Sequence, residues 1–272
     1  MRYLLYCIFH SPACAAFGTA GSPEHRKLEF VLGVGGEPVL LIAKDELNAV
    51  ISRIAPSQLS PDIPRILAYE KVIESFHQNH TVIPMRYGCL FDEESQIIRL
   101  LEERYNQYQA LLEELKGCME MGISILSRWG TPNTESPPGT DSSFCRSVKA
   151  SLALAEKAQH PGRAFLDARK AFYAQEERIA KEHSMLTEQC RAAFSGLFIK
   201  CKAELKYLDI SHPPSPIPLH SLYFLVPRGS VTPFHEAFQE ISQKGPAKLL
   251  LSGPWPPYNF VLPDQNPNPH GL

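Results

Sequence analysis

The chain lacks any run of about 18 consecutive apolar residues, the minimum for a membrane-crossing helix, so no helical membrane span is expected. It lacks an excess of either charge: 27 basic against 29 acidic side chains leave no field to steer it onto nucleic acid. It has no CxxC pair, and its seven cysteines, at 7, 14, 89, 118, 145, 190 and 201, are odd in number. Both facts argue against a disulfide framework or a zinc site, and a reducing cytoplasm is the compartment expected. HExxH, GxSxG and the P-loop are also missing, and the glycines at 33, 35 and 36 match neither GxGxxG nor a phosphate loop with its lysine. No catalytic residue, cofactor or metal is therefore expected, and the chain is expected not to be an enzyme.

With 272 residues the chain is long enough for two domains and for a core that needs no covalent staples. Its start imitates a secretory signal through Arg2, the apolar run 3–9 and the small residues 13–16. The apolar stretch is barely long enough, and His10 and Pro12 interrupt it, so a first β-strand is expected instead.

Two apolar runs, 28–34 and 38–43, flank Gly35-Gly36, a pair suited to a tight hairpin. A short helix is expected over 44–54, and an amphipathic one over 64–77, where Ile66, Leu67, Val72, Ile73 and Phe76 recur at helical spacing. Residues 81–91 form an apolar strand interrupted by Pro84, which belongs at an edge or bulge. Residues 92–116 read as one helix: acids open it, Leu101, Tyr105, Tyr108, Leu112 and Leu115 make its stripe, and Gly117 stops it. A strand over 118–128 and a Pro/Gly/Ser/Thr insertion over 129–143 follow. Helical pattern resumes at Phe144 and, after Pro161-Gly162, runs to about Ser195, with a stripe that includes Phe165, Phe172, Ile179, Leu186 and Cys190. Strands at 197–208 and 219–226, separated by a proline-rich turn at 212–218, a helix at 232–244 and a strand at 248–251 complete the chain.

From Cys118 the order is strand, helix, strand, strand, helix, strand, the ferredoxin-like βαββαβ arrangement. The fold class expected is α+β with two domains: an N-terminal α+β domain over 1–117, a ferredoxin-like domain over 118–252 carrying the 129–143 insertion, and an extended strap and tail over 253–272.

The strap, Ser-Gly-Pro-Trp-Pro-Pro-Tyr-Asn-Phe-Val over 252–261, is where the proline excess, 24 of 272 residues, matters most. Pro254, Pro256 and Pro257 fix φ and remove donors, so the segment can be neither helix nor central strand. A backbone ordered in advance makes docking of Trp255, Tyr258 and Phe260 less costly in entropy. The rings either seal the protein's own core or face a partner. Intramolecular burial on the C-terminal domain is favoured, because the strap starts beside the sheet it could cover. Arg86, among apolar neighbours, either binds a ligand or pairs with Asp92 or Glu93. His77 and His80 could touch one metal, but no third ligand is near in sequence.

Gly-Pro-Trp-Pro-Pro-Tyr-x-Phe-Val near the C-terminus resembles the closing motif of the GvpL/GvpF family of gas vesicle proteins. Residues 81–91, Thr-Val-Ile-Pro-Met-Arg-Tyr-Gly-Cys-Leu-Phe, resemble a second motif of that family, with Tyr87 and Cys89 in place of its usual Phe and Thr. Gly162 to Leu166 resembles a third, with Phe165 replacing tyrosine. The resemblance implies a gas vesicle accessory or minor structural protein, located at the vesicle or in the cytoplasm. Its partners would be the hydrophobic wall protein and other vesicle proteins, with Trp255, Tyr258, Phe260 and Arg86 as the candidate contact residues. The competing expectation is a small-molecule enzyme with Arg86, His80 or Glu70 at an interdomain cleft.

Overall fold

The computed structural model describes residues 1–11, 26–55, 60–126, 161–208, 217–244 and 248–261. It is a mixed α/β fold with two antiparallel sheets. Packing divides the chain into one unit of Met1–Glu120, Leu225–Arg228 and the stretch from Gly253 onward, and another of Met121–Phe224 and Gly229–Ser252. The insertion expected at 129–143, the helical pattern at 144–160 and residues 212–216 of the proline-rich turn lie outside the described residues.

The sheet of the first unit is built from β1 (Arg2–His10), β2 (Arg26–Leu32), β3 (Pro38–Lys44), β4 (Leu47–Ile54) and β5 (Val82–Pro84), in the order β2-β3-β4-β1-β5, with β6 (Leu90–Phe91) also paired to β1. The apolar run that resembles a signal segment is thus an interior strand of the sheet, buried from Leu4 to Phe9. Its pairing with β4 slips between Leu5 and Cys7. Pro84 sits in β5 at the sheet edge, where its missing N–H breaks no ladder.

Two expectations fail in this unit. Residues 44–54 do not form a helix: Asp45, at φ 52°, turns the chain and β4 follows between β3 and β1. Leu47 to Ser52 and Ile54 are buried with both faces covered, so the strand carries no alternation to separate it from a buried helix. Residues 92–116 form two helices, α2 (Glu94–Glu103) and α3 (Tyr105–Glu114), since Arg104 leaves helical geometry at φ −111°, ψ 15°. The hydrogen bonds from Arg104 N to Leu100 O and from Tyr108 N to Arg104 O pass through the break, which is a kink of one residue. Gly117, at φ 67°, ends the pair as expected.

Helix α1 (Ile63–His77) starts where Asp62 accepts the Arg65 N–H at 2.9 Å, with a proline in its first turn. Tyr69, Val72, Ile73, Phe76 and His77 face the core, whereas Leu67 is 61% exposed and Ile63 74%. The core beside this helix is rich in tyrosine. The Tyr6 hydroxyl bonds Ser52 and accepts the Val34 N–H, and its ring stacks on Tyr69. Gly33 leaves the space: a Cβ there would lie 2.3 Å from the Tyr6 hydroxyl.

The second sheet is built from β7 (Cys118–Leu126), β8 (Lys200–Leu208), β9 (Ile217–Pro227) and β10 (Lys248–Trp255), ordered β10-β7-β9-β8, with most of its residues in the second unit. Helix α4 (Pro161–Ala193) lies between β7 and β8 in sequence, and α5 (Val231–Lys244) between β9 and β10. Phe194, Phe224 and Phe234 form its aromatic centre, with ring centroids 4.2 to 5.4 Å apart. Leu222 and Phe224 point inward, and Tyr223 between them turns to the opposite face and takes a hydrogen bond from Lys206.

Candidate functional site

The strap is the feature that sequence singles out most strongly, and its local structure follows from its prolines. Strand β10 is an edge of its sheet, so Pro254 is tolerated within it. Pro256 and Pro257, both buried, then carry the chain into a single 3-10 turn, Tyr258–Phe260, closed by bonds from Tyr258 N to Pro256 O and from Phe260 N to Pro257 O.

That turn is anchored in the first unit by two carboxylates. The Tyr258 hydroxyl donates to Glu70 Oε2 at 2.6 Å. Asn259 donates its backbone N–H to Glu120 Oε2 at 2.8 Å and its side-chain amide to Oε1 at 2.6 Å. Phe260 is 4% exposed, and the Tyr258 ring packs against the cluster of Leu4, Tyr6, Tyr69, Val72 and Ile73. Trp255, three residues before Tyr258, remains 46% exposed.

The electrostatics of the clamp follow from burial. Burial pushes the Glu70 carboxyl up; the hydrogen bond from Tyr258 opposes this, and Glu74 adds to it. The Tyr258 phenol is pushed far above its ordinary value, by burial first and then by the bond to Glu70 and its charge. The phenol therefore stays protonated and serves as a fixed donor.

From sequence the rings are expected to bury on the C-terminal domain; instead Trp255 stays exposed, and Tyr258 and Phe260 pack into the first unit, with Glu70 on α1 and Glu120 on β7 as acceptors for the turn. Glu120 is the partner that sequence reasoning missed. A lone acid between Met119 and Met121 in an apolar strand was the available signal, since a buried carboxylate requires donors.

Arg86 is exposed, and neither expected acid is its partner: Asp92 pairs with Arg2 at 2.8 Å, and Glu93 caps α2. Its backbone matters more. The Tyr69 hydroxyl lies within hydrogen-bond reach of the carbonyls of Leu5, Met85 and Arg86, at 2.9, 3.0 and 3.1 Å, and ties β1 to the loop after β5. The residues of the enzyme alternative are not joined by hydrogen bonds: Glu70 holds Tyr258, and the His80 ring lies 4.7 Å from that of Phe9. His77 is buried with both ring nitrogens unpartnered, and among the described residues no three His, Cys, Asp or Glu side chains are grouped to hold a metal.

Comparison with known proteins places this geometry in context. The family model described as gas vesicle synthesis protein GvpL/GvpF matches residues 2–262. The chain is 24% identical over 256 residues to gas vesicle protein F of Streptomyces sp. (strain CB03234), covering 90% of this chain and 98% of that protein. It is 24% identical over 242 residues to gas vesicle protein L of the same strain, covering 84% and 85%. The crystal structure of gas vesicle protein GvpF from Microcystis aeruginosa superposes with a TM-score of 0.64 over 95% of this chain and 98% of that one. At 17% identity this last likeness shows the fold.

Proposed function

The chain belongs to the GvpL/GvpF family of gas vesicle synthesis proteins, and on that premise we propose that it supports vesicle assembly by binding the wall protein and other vesicle proteins rather than by catalysis. The observation that carries this proposal is the division of labour in the strap. Tyr258, Asn259 and Phe260 are fastened by hydrogen bonds and burial, while Trp255 beside them is exposed. A large ring held out on an ordered backbone suits a binding hot spot, because little entropy is lost when a partner covers it. Ile63 and Leu67 are also exposed, on the helix that carries Glu70, which holds the strap. The proposed partner is correspondingly apolar, and the proposed location is the gas vesicle.

The second sheet supports the ferredoxin-like reading of 118–252. Its order β10-β7-β9-β8, with a helix in each βαβ crossover, is what two split βαβ units produce. On this reading the domain serves as a scaffold that presents the strap at its last strand.

Co-purification from a vesicle-forming host tests the proposal. Trp255→Ala is expected to fold and melt like the parent yet recover less wall protein. Undiminished recovery by Trp255→Ala and by the triple variant with Ile63→Ser and Leu67→Ser would reject this surface. Normal vesicles in a deletion strain would reject the assembly role itself.

A further inference from the structure

Away from the strap, the second unit holds a pair of histidines that the function above does not use. His183 on α4 and His220 on β9 approach with Nδ1 to Nδ1 at 3.0 Å. Their planes differ by 18° and their ring centroids are 5.1 Å apart. The centroid distance exceeds the nitrogen distance by close to one ring radius at each end, so both nitrogens lie nearly on the line between ring centres. The rings therefore meet edge to edge, not face to face. A contact this short between two ring nitrogens holds only when one carries a proton and the other a free lone pair.

The protons can be assigned. His220 is fully buried and its Nε2 has no partner among the described residues, whereas His183 is part-exposed. An orphaned buried N–H is costly, so the favoured neutral arrangement has His220 donating Nδ1–H to His183 Nδ1, with His220 Nε2 bare and the remaining proton on His183 Nε2. A first added proton makes His183 the imidazolium donor and moves the His220 proton to Nε2, where it is stranded. A second places two N–H groups head to head.

We propose that this pair is a proton-operated latch that fastens α4 to the sheet at neutral pH, is weakened by one added proton and is broken by two. The charges around it do not abolish this behaviour. Burial pushes both rings below the ordinary histidine value; for His220 the charge of His183 adds to this, and Glu182 opposes both. Elsewhere on α4, Glu188 pairs with Arg191 in solvent. On α5, which packs through Phe234 by Phe194 and Phe224, Glu236 and Glu240 are exposed and His235 is part-exposed. Lys206 and Glu204 meet each other and Tyr223 on the other face of the sheet from His220. The sign follows: the folded pair binds fewer protons than the unfolded chain, so the fastening is complete above about pH 6.5 and fails as the pH drops below it.

Hydrogen exchange of the full chain, corrected for intrinsic rates, is the test. Between about pH 7.5 and about pH 5, amides of α4 near His183 are expected to lose roughly tenfold or more of their protection. His220→Phe, which keeps a ring but cannot titrate, is expected to remove that dependence. If this variant does not fold, imidazole nitrogen NMR of the parent decides. A shared Nδ1 proton with two linked titrations below about 6.5 supports the latch, and two independent titrations near 6.5 overturn it. Protection of α4 that does not change with pH in the parent also overturns it.

Discussion

Asn259 places both its backbone N–H and its side-chain amide on the single carboxylate of Glu120, at 2.8 and 2.6 Å. Glu120 is 4% exposed, so these bonds are made out of water and matter more than surface contacts of the same length. Asn259→Ala removes one of the two and leaves the other. A hydrogen bond to a charged group contributes about 1.5–3 kcal/mol. Chemical denaturation is expected to show a loss in that range, with faster proteolysis after the strap than in the parent.

Gly33 and Tyr6 make a second testable pair. The φ of Gly33 is ordinary at −86°, so substitution there is limited by space and not by backbone strain. A Cβ would meet the buried Tyr6 hydroxyl at 2.3 Å, and Gly33→Ala is expected to cost about 1–3 kcal/mol from overpacking. Tyr6→Phe removes the obstructing oxygen, and also the bonds to Ser52 and Val34. The double variant is therefore expected to be more stable than the sum of the two losses, a coupling that a double-mutant cycle measures. Additive losses would refute the steric explanation.

The strands were legible wherever one feature dominated: the apolar run of β1, the Gly35-Gly36 hairpin, and the proline that marks β5 as an edge. Strand β4 was not, because a strand buried on both faces loses the period of two that separates it from a helix. The kink at Arg104 left no mark either, since no glycine or proline stands there and the stripe of Leu101, Tyr108 and Leu112 continues through it. At the strap, Tyr258 and Phe260 are buried but Trp255 is not, and neither that division nor the docking surface could be read from the order of the rings along the chain. The partners of Tyr258 and Asn259 lie 188 and 139 residues away in the chain, and no local pattern encodes that pairing.

His77 is expected to make the first unit sensitive to acid. It is buried with both ring nitrogens unpartnered among the described residues, and the Arg228 guanidinium donates to its carbonyl oxygen. Burial first, and the Arg228 charge second, push its pKa down to about 4. A histidine depressed in the fold takes up protons more readily when unfolded. Its contribution is thus fully present above about pH 6.5 and is lost as the pH falls from there towards about 4. The loss is bounded at about 3–4 kcal/mol, from the linkage between proton binding and stability. His77→Leu is expected to flatten the fall in unfolding free energy over that window. An unchanged slope would assign the acid sensitivity elsewhere, the pair of His183 and His220 being the alternative.

The division within the strap gives the sharpest contrast between two aromatics. Phe260 is 4% exposed, so Phe260→Ala removes a buried ring and leaves a cavity, for which about 3–5 kcal/mol is the usual cost. Trp255 is 46% exposed despite being the larger ring, and Trp255→Ala is expected to change stability by no more than about 0.5–1 kcal/mol. Thermal and denaturant unfolding of the two variants measures the difference directly. Equal and large losses would mean that Trp255 serves this chain's own packing, and the proposed partner surface would lose its central residue. A stable Trp255→Ala beside a destabilised Phe260→Ala would leave the tryptophan with no structural reason to be there, and recognition as the remaining one.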